Sequence, residues 1–423
     1  MQFKLKNFGK ITEADIKLDG ITVICGNNNT GKSTVGKALF AYFNALNDYK
    51  NKIDKQKSNK FKTIILNYSS GIVELPRNII YEQDPIEFIS EHDGSYSHDE
   101  IKKYLEESYS VRLPNEKIEE IANYLNMSSI DILEEYVYRY ISRVMNGQVK
   151  NSNSAHSSKC IISGEFKEFT NIITLKKHSC VCEINDAIEH SAYYINNPFT
   201  LDYLNEPVAI RFSNNPMNLS VIEAIKKAQT SIDEDSMTNI LDSVLNKKDL
   251  DDIRNVIKKV YTGDTVIDHG RYFYNENGES YDFRNISTGL KSFALIERML
   301  ETGALKRKDI LILDEPEIHL HSEWQIYYAE LIVLLQKKFD LTILLVTHSF
   351  QFLEALDFYI KKYEILEKSN FYIPENVEKG VVIKYCGNDS IKLKKILTTG
   401  SITLSNLKFE YEMENNNIEE DNE

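Results

Sequence analysis

Apolar and polar residues alternate from the start of the chain. Phe3 and Leu5 are flanked by polar neighbours, Ala14 to Leu18 continues in the same manner, and Ile21 to Cys25 is a short, largely apolar run ending at Gly26. A period of two predicts strands, and the run predicts a buried one. From about Lys32 to Asn47 the period changes, with Val35, Ala38, Leu39 and Tyr42 at helical spacing, so a Gly-rich turn joins a strand to a helix. Residues 85 to 147 read as a helical insertion whose clearest helix puts Ile130, Leu133, Val137, Ile141 and Val144 on one face and stops at Gly147. A polar loop follows from Gln148 to Ser158, and strand-like alternation returns from Cys160 to Tyr194.

A second helical stretch, roughly Ser220 to Val260, is highly charged and is expected to form an arm or lid. Tyr272 to Phe283 is strand-like around an Asn-Glu-Asn-Gly turn, and Ile310–Leu313 and Leu341–Val346 are apolar strands. The interleaving predicts an α/β fold with a mixed sheet and flanking helices. Six segments are expected: 1–84 and 263–405 as the two parts of one head, 85–147 as the helical insertion, 158–213 as its return to β structure, 214–262 as the arm, and 406–423 as an acidic, disordered tail.

Composition narrows this little further. The 423 residues are 42% hydrophobic and 27% charged, as in globular proteins. The apolar runs fall well short of the roughly 20 residues that a bilayer requires, and the first residues lack a signal-peptide pattern, so a cytoplasmic location without a membrane is expected. Cys25, Cys160, Cys180, Cys182 and Cys386 are too scattered for a disulfide framework; Cys180 and Cys182 would share a strand face as free thiols. A net charge of −14 repels nucleic acid at long range. Locally, Lys50, Lys52, Lys55, Lys57, Lys60 and Lys62 against Asp54 leave a balance of +5, read first as a solvated loop after the first helix and otherwise as a nucleic-acid contact.

The chemistry lies in four motifs. Gly26-Asn27-Asn28-Asn29-Thr30-Gly31-Lys32-Ser33-Thr34 is a G-x-x-x-x-G-K-[ST] phosphate loop at a strand-to-helix turn: backbone N–H groups curl around phosphate, Lys32 reaches the β and γ oxygens, and Ser33 offers its hydroxyl to Mg²⁺. Ile310–Leu313 ends in Asp314 and Glu315, suited to holding Mg²⁺ and to activating a water, respectively. Leu341–Val346 ends in Thr347-His348-Ser349, where His348 is expected to sense the γ-phosphate. Asn285-Ile286-Ser287-Thr288-Gly289-Leu290-Lys291-Ser292 precedes a helix; Ser287, Thr288, Gly289 and Lys291 are candidate phosphate contacts, against the plainer reading of a helix cap.

These motifs, in this order, resemble those of ABC-type ATPases. DEPEIHLHSEWQ and LLVTHSFQFLEAL, together with KNFGKITEADIKL, SAYYINNPFTLDYL and SNFYIPEN, are similar to the OLD-like group (overcoming lysogenization defect), which is related to the heads of SMC-type chromosome-maintenance and recombination-repair ATPases. The resemblance implies a two-lobed head that dimerises with ATP and Mg²⁺ at the interface, each site completed by the partner's signature. It also implies structural or interface roles for His319 and His321. Leu290 and Ser292 depart from the Glu and Gln frequent in that signature, and no residue is assigned to the family's γ-phosphate-linked glutamine.

Full-length OLD proteins carry a nuclease domain that this chain is expected to lack, as do the ATPase components of bacterial antiphage systems such as Septu and PARIS. The expected function is therefore an ATPase switch or scaffold controlling a separately encoded effector, a nuclease or toxin. The alternative is a repair or recombination ATPase that clamps DNA. A transporter subunit is disfavoured by the 255 residues between Lys32 and Ser287, and a scaffold without turnover by the presence of Glu315.

Overall fold

The initial alternation becomes a hairpin of β1 (Gln2–Phe8) and β2 (Ile11–Lys17), paired antiparallel with Phe3 opposite Ile16 and Leu5 opposite Ala14. Because successive side chains point to opposite faces, all four fall on one buried face. The computed structural model describes residues 1–72, 83–91, 95–151, 158–205, 215–233, 249–261, 263–268, 271–388 and 390–397; the expected acidic tail, 406–423, lies outside them.

The remaining strands are β3 (Ile21–Cys25), β4 (Cys160–Glu165), β5 (Thr170–Leu175), β6 (Cys180–Glu183), β7 (Ala192–Ile195), β8 (Asp264–Asp268), β9 (Arg271–Glu276), β10 (Glu279–Asp282), β11 (Ile310–Asp314), β12 (Thr342–Thr347), β13 (Ser369–Val377) and β14 (Gly380–Gly387). Among the described residues eleven form one mixed sheet, ordered β6-β5-β4-β1-β2-β14-β13-β3-β12-β11-β7. Strands β13, β3, β12, β11 and β7 run parallel, while β1, β4, β5 and β6 continue antiparallel. The fold is thus α/β, with a large mixed sheet and flanking helices. β8, β9 and β10 make a separate three-stranded sheet, turning at Asn277 and Gly278, both at positive φ (53° and 83°), which is the backbone that an Asn-Gly turn favours.

The parallel strands are buried on both faces. Val23, Leu311, Leu313 and Leu345 enter one core with the helices Thr288–Glu301 and Ser322–Phe339; Ile24, Ile312, Leu344 and Tyr194 enter another with α1 (Lys32–Leu46). This two-sided burial explains why these strands read as apolar runs without alternation.

Several expectations shift. The lysine-rich stretch is not a loop but part of α2 (Tyr49–Ile72), held by Ile53, Phe61, Ile64 and Ile65, which are buried at helical spacing. Phe61, Ile64 and Ile65 share a third core with Ile101, Leu105, Ile118 and Ile121, whereas Leu133, Val137, Ile141 and Val144 of the helix Ser129–Val144 pack with α1. The boundaries at 84/85 and 147 therefore do not follow the division of the cores. Ile130, expected on that buried face, is 44% exposed, since it lies in the first turn. In the expected arm, Val221, Ile222 and Ile225 of the helix Pro216–Asp233, and Ile253, Val256 and Ile257, enter the main core; the intervening 234–248 lies outside the described residues.

Candidate nucleotide site

Parallel register aligns the carboxyl ends of four strands: Thr347 stands opposite Cys25, Val346 opposite Asp314, and Ile195 opposite Leu313. Chain segments leaving these ends meet at one edge of the sheet, where ligands of open α/β sheets bind. Gly26, Lys32, Ser33, Asp314, Glu315 and His348 are all brought to this edge.

From β3 the chain passes through Gly26 and exposed Asn27, Asn28 and Asn29 into α1, whose N-cap is Gly31 at φ 78° and ψ 9°. An L side chain is strained there, and with no side-chain cap on the helix its first N–H groups are not claimed by one. Thr30 Oγ1 donates to the Asn27 carbonyl at 2.7 Å and Lys10 donates to Asn29, bracing the loop. Thr34 packs at the hairpin turn, its methyl within 2.8 Å of where a Cβ on Gly9 would stand. Lys32, 4% exposed, folds back to donate to the carbonyls of Gly26 (2.8 Å) and Asn27 (2.7 Å). Burial lowers its pKa, opposed by the Glu315 carboxylate.

Ser33 Oγ donates to Asp314 Oδ1 at 3.1 Å, and the Tyr194 hydroxyl donates to Oδ2. Burial raises the pKa of Asp314, and these two hydrogen bonds oppose that rise. The pairing of a hydroxyl and a carboxylate oxygen, without a sulfur or imidazole donor, suits a hard cation such as Mg²⁺ shared with phosphate.

Glu315 departs from β11 at φ 53° while its N–H still bonds to Val346 O at 2.8 Å. A non-glycine residue in this region is strained, and here the strained backbone accompanies a carboxylate turned towards the next strand end. Glu315 Oε1 lies 3.1 Å from His348 Nδ1. Glu317, 3% exposed, accepts from Thr347 Oγ1 and, at 3.2 Å, from the N–H of His348, tying the residues after β11 to the end of β12. Burial raises the pKa of Glu317 and lifts that of Cys25 to about 12.

Ser287 caps the helix Thr288–Glu301, accepting from Leu290 N–H at 3.4 Å, and is itself exposed. The cap is formed, and Ser287 at the helix N-terminus faces solvent. Gly289 is buried, and a Cβ there would stand 2.9 Å from the Trp324 ring and 3.1 Å from the His319 carbonyl. Lys291 has a partner within the chain. It is 3% exposed, ion-paired to Asp202 at 2.8 Å and set over the Phe199 ring. A groove lined by Asn196, Ser292, Glu315, Pro316 and His319 connects this helix to the carboxylate edge.

Tyr194 and Glu317 escaped the sequence reading. The signal for Tyr194 was faint, two adjacent tyrosines in an apolar strand, one of which must face α1; Glu317 stood in plain sight beside the two acids. Elsewhere Lys52 Nζ donates to Asn44 O, Lys57 Nζ to Leu125 O, and Lys62 pairs with Asp84 at 3.1 Å. With Lys60 set over the Tyr124 ring, four of the six lysines of the basic cluster have internal partners. Cys180 and Cys182 do share a face, their sulfurs 3.7 Å apart and buried. His319 lies against the Phe199 ring, and among the described residues no cluster of three metal-ligating side chains occurs. Nor is any described helix long and apolar enough to cross a membrane.

The strand-borne phosphate loop facing a paired-acid strand defines a phosphate-loop ATPase. The chain belongs to the AAA ATPase domain family, whose model matches residues 1–353. No curated protein matches it. Three solved structures are similar: the SMC head domain from Thermotoga maritima (10% identity, 91% of this chain and 98% of that one, TM-score 0.39), an Smc head bound to the C-winged helix domain of ScpA (10%, 91% and 97%, 0.42), and an Smc head with an extended coiled coil bound to the C-terminal domain of ScpA, derived from Pyrococcus furiosus (9%, 96% and 98%, 0.42).

Proposed function

We propose that this chain is an ABC-type, OLD-like ATPase in which ATP binding drives two heads together and hydrolysis releases them. The observation that carries the reading is the single edge at which Lys32, the Ser33–Asp314 pair and the Glu315–His348 pair converge. Lys32 exchanges the carbonyls of Gly26 and Asn27 for β and γ phosphate oxygens, and α1 presents its first N–H groups to them. Ser33 and Asp314 hold Mg²⁺, which neutralises charge developing on the phosphates. Glu315 orients and deprotonates the attacking water, and His348 stands beside it to contact the γ-phosphate.

A second copy supplies what this edge lacks. Ser287 and its helix N-terminus face solvent, and nearby Ile318 (55%) and Phe199 (39%) are exposed apolar residues of the kind that an interface covers. The resemblance to OLD-like ATPases supports the biological reading: a nucleotide-driven switch or scaffold for a separately encoded effector in bacterial antiphage defence. The DNA-clamp alternative loses support because Lys52, Lys57 and Lys62 already have internal partners.

The test is light scattering and ATP turnover of purified protein, with and without ATP and Mg²⁺, followed by identification of what copurifies when the genomic neighbours are expressed together. A particle that stays monomeric with the Glu315→Gln variant and saturating ATP would overturn the head-association reading.

A further inference from the structure

We propose that Tyr194 is a positioning residue that locks the Asp314 carboxylate in the orientation needed to share a divalent cation with Ser33. The inference rests on the nucleotide-site reading above and concerns a residue that reading does not use.

Tyr194 lies on β7 opposite Ile312 of β11, two residues before Asp314. It is 1% exposed, with its ring between the sheet and α1 and T-shaped against Phe40, the ring centroids 6.2 Å apart. On α1, Gly36 makes room for it: a Cβ there would come within 3.0 Å of both Tyr194 Cε2 and Ile312 Cγ2. Packed in this slot, the ring presents its hydroxyl to Asp314 Oδ2. Ser33 meets the other oxygen, Oδ1, at 3.1 Å.

A carboxylate's last torsion is broad and roughly two-fold, so an aspartate held only at Oδ1 can swing between orientations. Capping Oδ2 removes that freedom and leaves the Ser33-facing oxygen directed at the phosphate loop. Partners one step behind a metal ligand usually contribute in this manner, and losing one costs about 10- to 100-fold in metal affinity or activity. The Gly36 gap and the hydrogen bond are independent features of two elements, and both serve the same placement.

The experiment measures Mn²⁺ affinity of the ADP complex by electron paramagnetic resonance, and ADP affinity with and without metal by calorimetry, for wild type, Tyr194→Phe, Asp314→Asn and the double variant. Phenylalanine keeps the ring that fills the Gly36 gap, and a matching thermal melt establishes that the fold is retained. Tyr194→Phe is expected to weaken Mn²⁺ binding about 10-fold or more while metal-free ADP affinity stays unchanged, and the double variant should lose no more than Asp314→Asn alone. Mn²⁺ affinity equal to wild type, an equal loss of metal-free ADP affinity, or additive losses in the double variant would each overturn the proposal. If wild type binds ADP but gains nothing from metal, the proposal and the cation role of Ser33 and Asp314 fall together; if wild type binds no ADP, the nucleotide-site reading itself fails with them.

Discussion

His348 Nδ1 stands 3.1 Å from Glu315 Oε1, although the two residues leave different strands and lie 33 positions apart in the chain. Glu317 underlies the contact by holding the His348 backbone N–H at 3.2 Å. The residue expected to activate water and the residue expected to sense phosphate are therefore one unit before any nucleotide arrives. Replacing Glu315 by Gln keeps its shape and removes its basicity, so nucleotide binding should persist while single-turnover hydrolysis slows by about 10²-fold or more. Turnover unchanged in Glu315→Gln would assign the base to another group.

Lys32→Ala removes the ammonium that reaches the Gly26 and Asn27 carbonyls and, with nucleotide, the β and γ oxygens. ATP binding or hydrolysis should be lost while the melting temperature stays near wild type. Fluorescent-nucleotide titration and a thermal melt check both parts, and near-normal turnover would refute the phosphate-loop assignment.

The shared-site idea is best tested at Ser287 and not at Gly289, since any side chain at Gly289 would strike Trp324 of the same chain. Ser287→Asp retains an N-cap residue but sets a carboxylate against phosphate, so it should fold and fail to hydrolyse. Mixed with Lys32→Ala, it should regain activity, up to roughly a quarter of normal if subunits pair randomly and sites act independently. No recovery in confirmed mixed dimers would place Ser287 outside the site.

Trp324 packs edge-on to Phe293 on the Ser287 helix and against Gly289, so its emission should change when ATP and Mg²⁺ bring a second head to that surface. An emission spectrum identical with and without nucleotide would detach this helix from the closing interface.

A pH effect is expected at Glu297 on the same helix. Burial lifts its pKa from 4.5 to about 7, opposed by the hydrogen bond from Tyr261. The folded state thus holds this proton more tightly than the unfolded state, and its stabilising contribution, present below about pH 4.5, is lost as pH rises towards 7 and above. With 1.36 kcal/mol per unit, the loss is on the order of 3 kcal/mol. Glu297→Gln should flatten the decline in unfolding free energy between pH 5 and pH 8; equal slopes would show that the burial cost is absent.

Much of the site was legible because its chemistry is local. Gly26 to Thr34 must be contiguous to wrap a phosphate, and Asp314 and Glu315 are adjacent at the end of one apolar strand, so spacing alone exposes them. The partner of Lys291 was not legible, because a helical repeat carries residues both inward and outward and Asp202 lies 89 residues away in sequence. The basic cluster misled likewise: Lys57 and Lys62 look free until Leu125 O and Asp84 are placed beside them.

By itself the sequence determined most of the strands, though not β8, β13 or β14, together with the first helix and the patterns of the phosphate loop and the acid pair, since period-two and period-3.6 patterns and turn chemistry depend on near neighbours. Tertiary structure alone decided that α2 joins the helical insertion's core, that Gly36 opens a slot for Tyr194, that Glu317 anchors His348, and that Gly289 is closed off by Trp324. Each of these joins residues far apart along the chain, and their approach depends on strand order and helix packing, which no local pattern encodes.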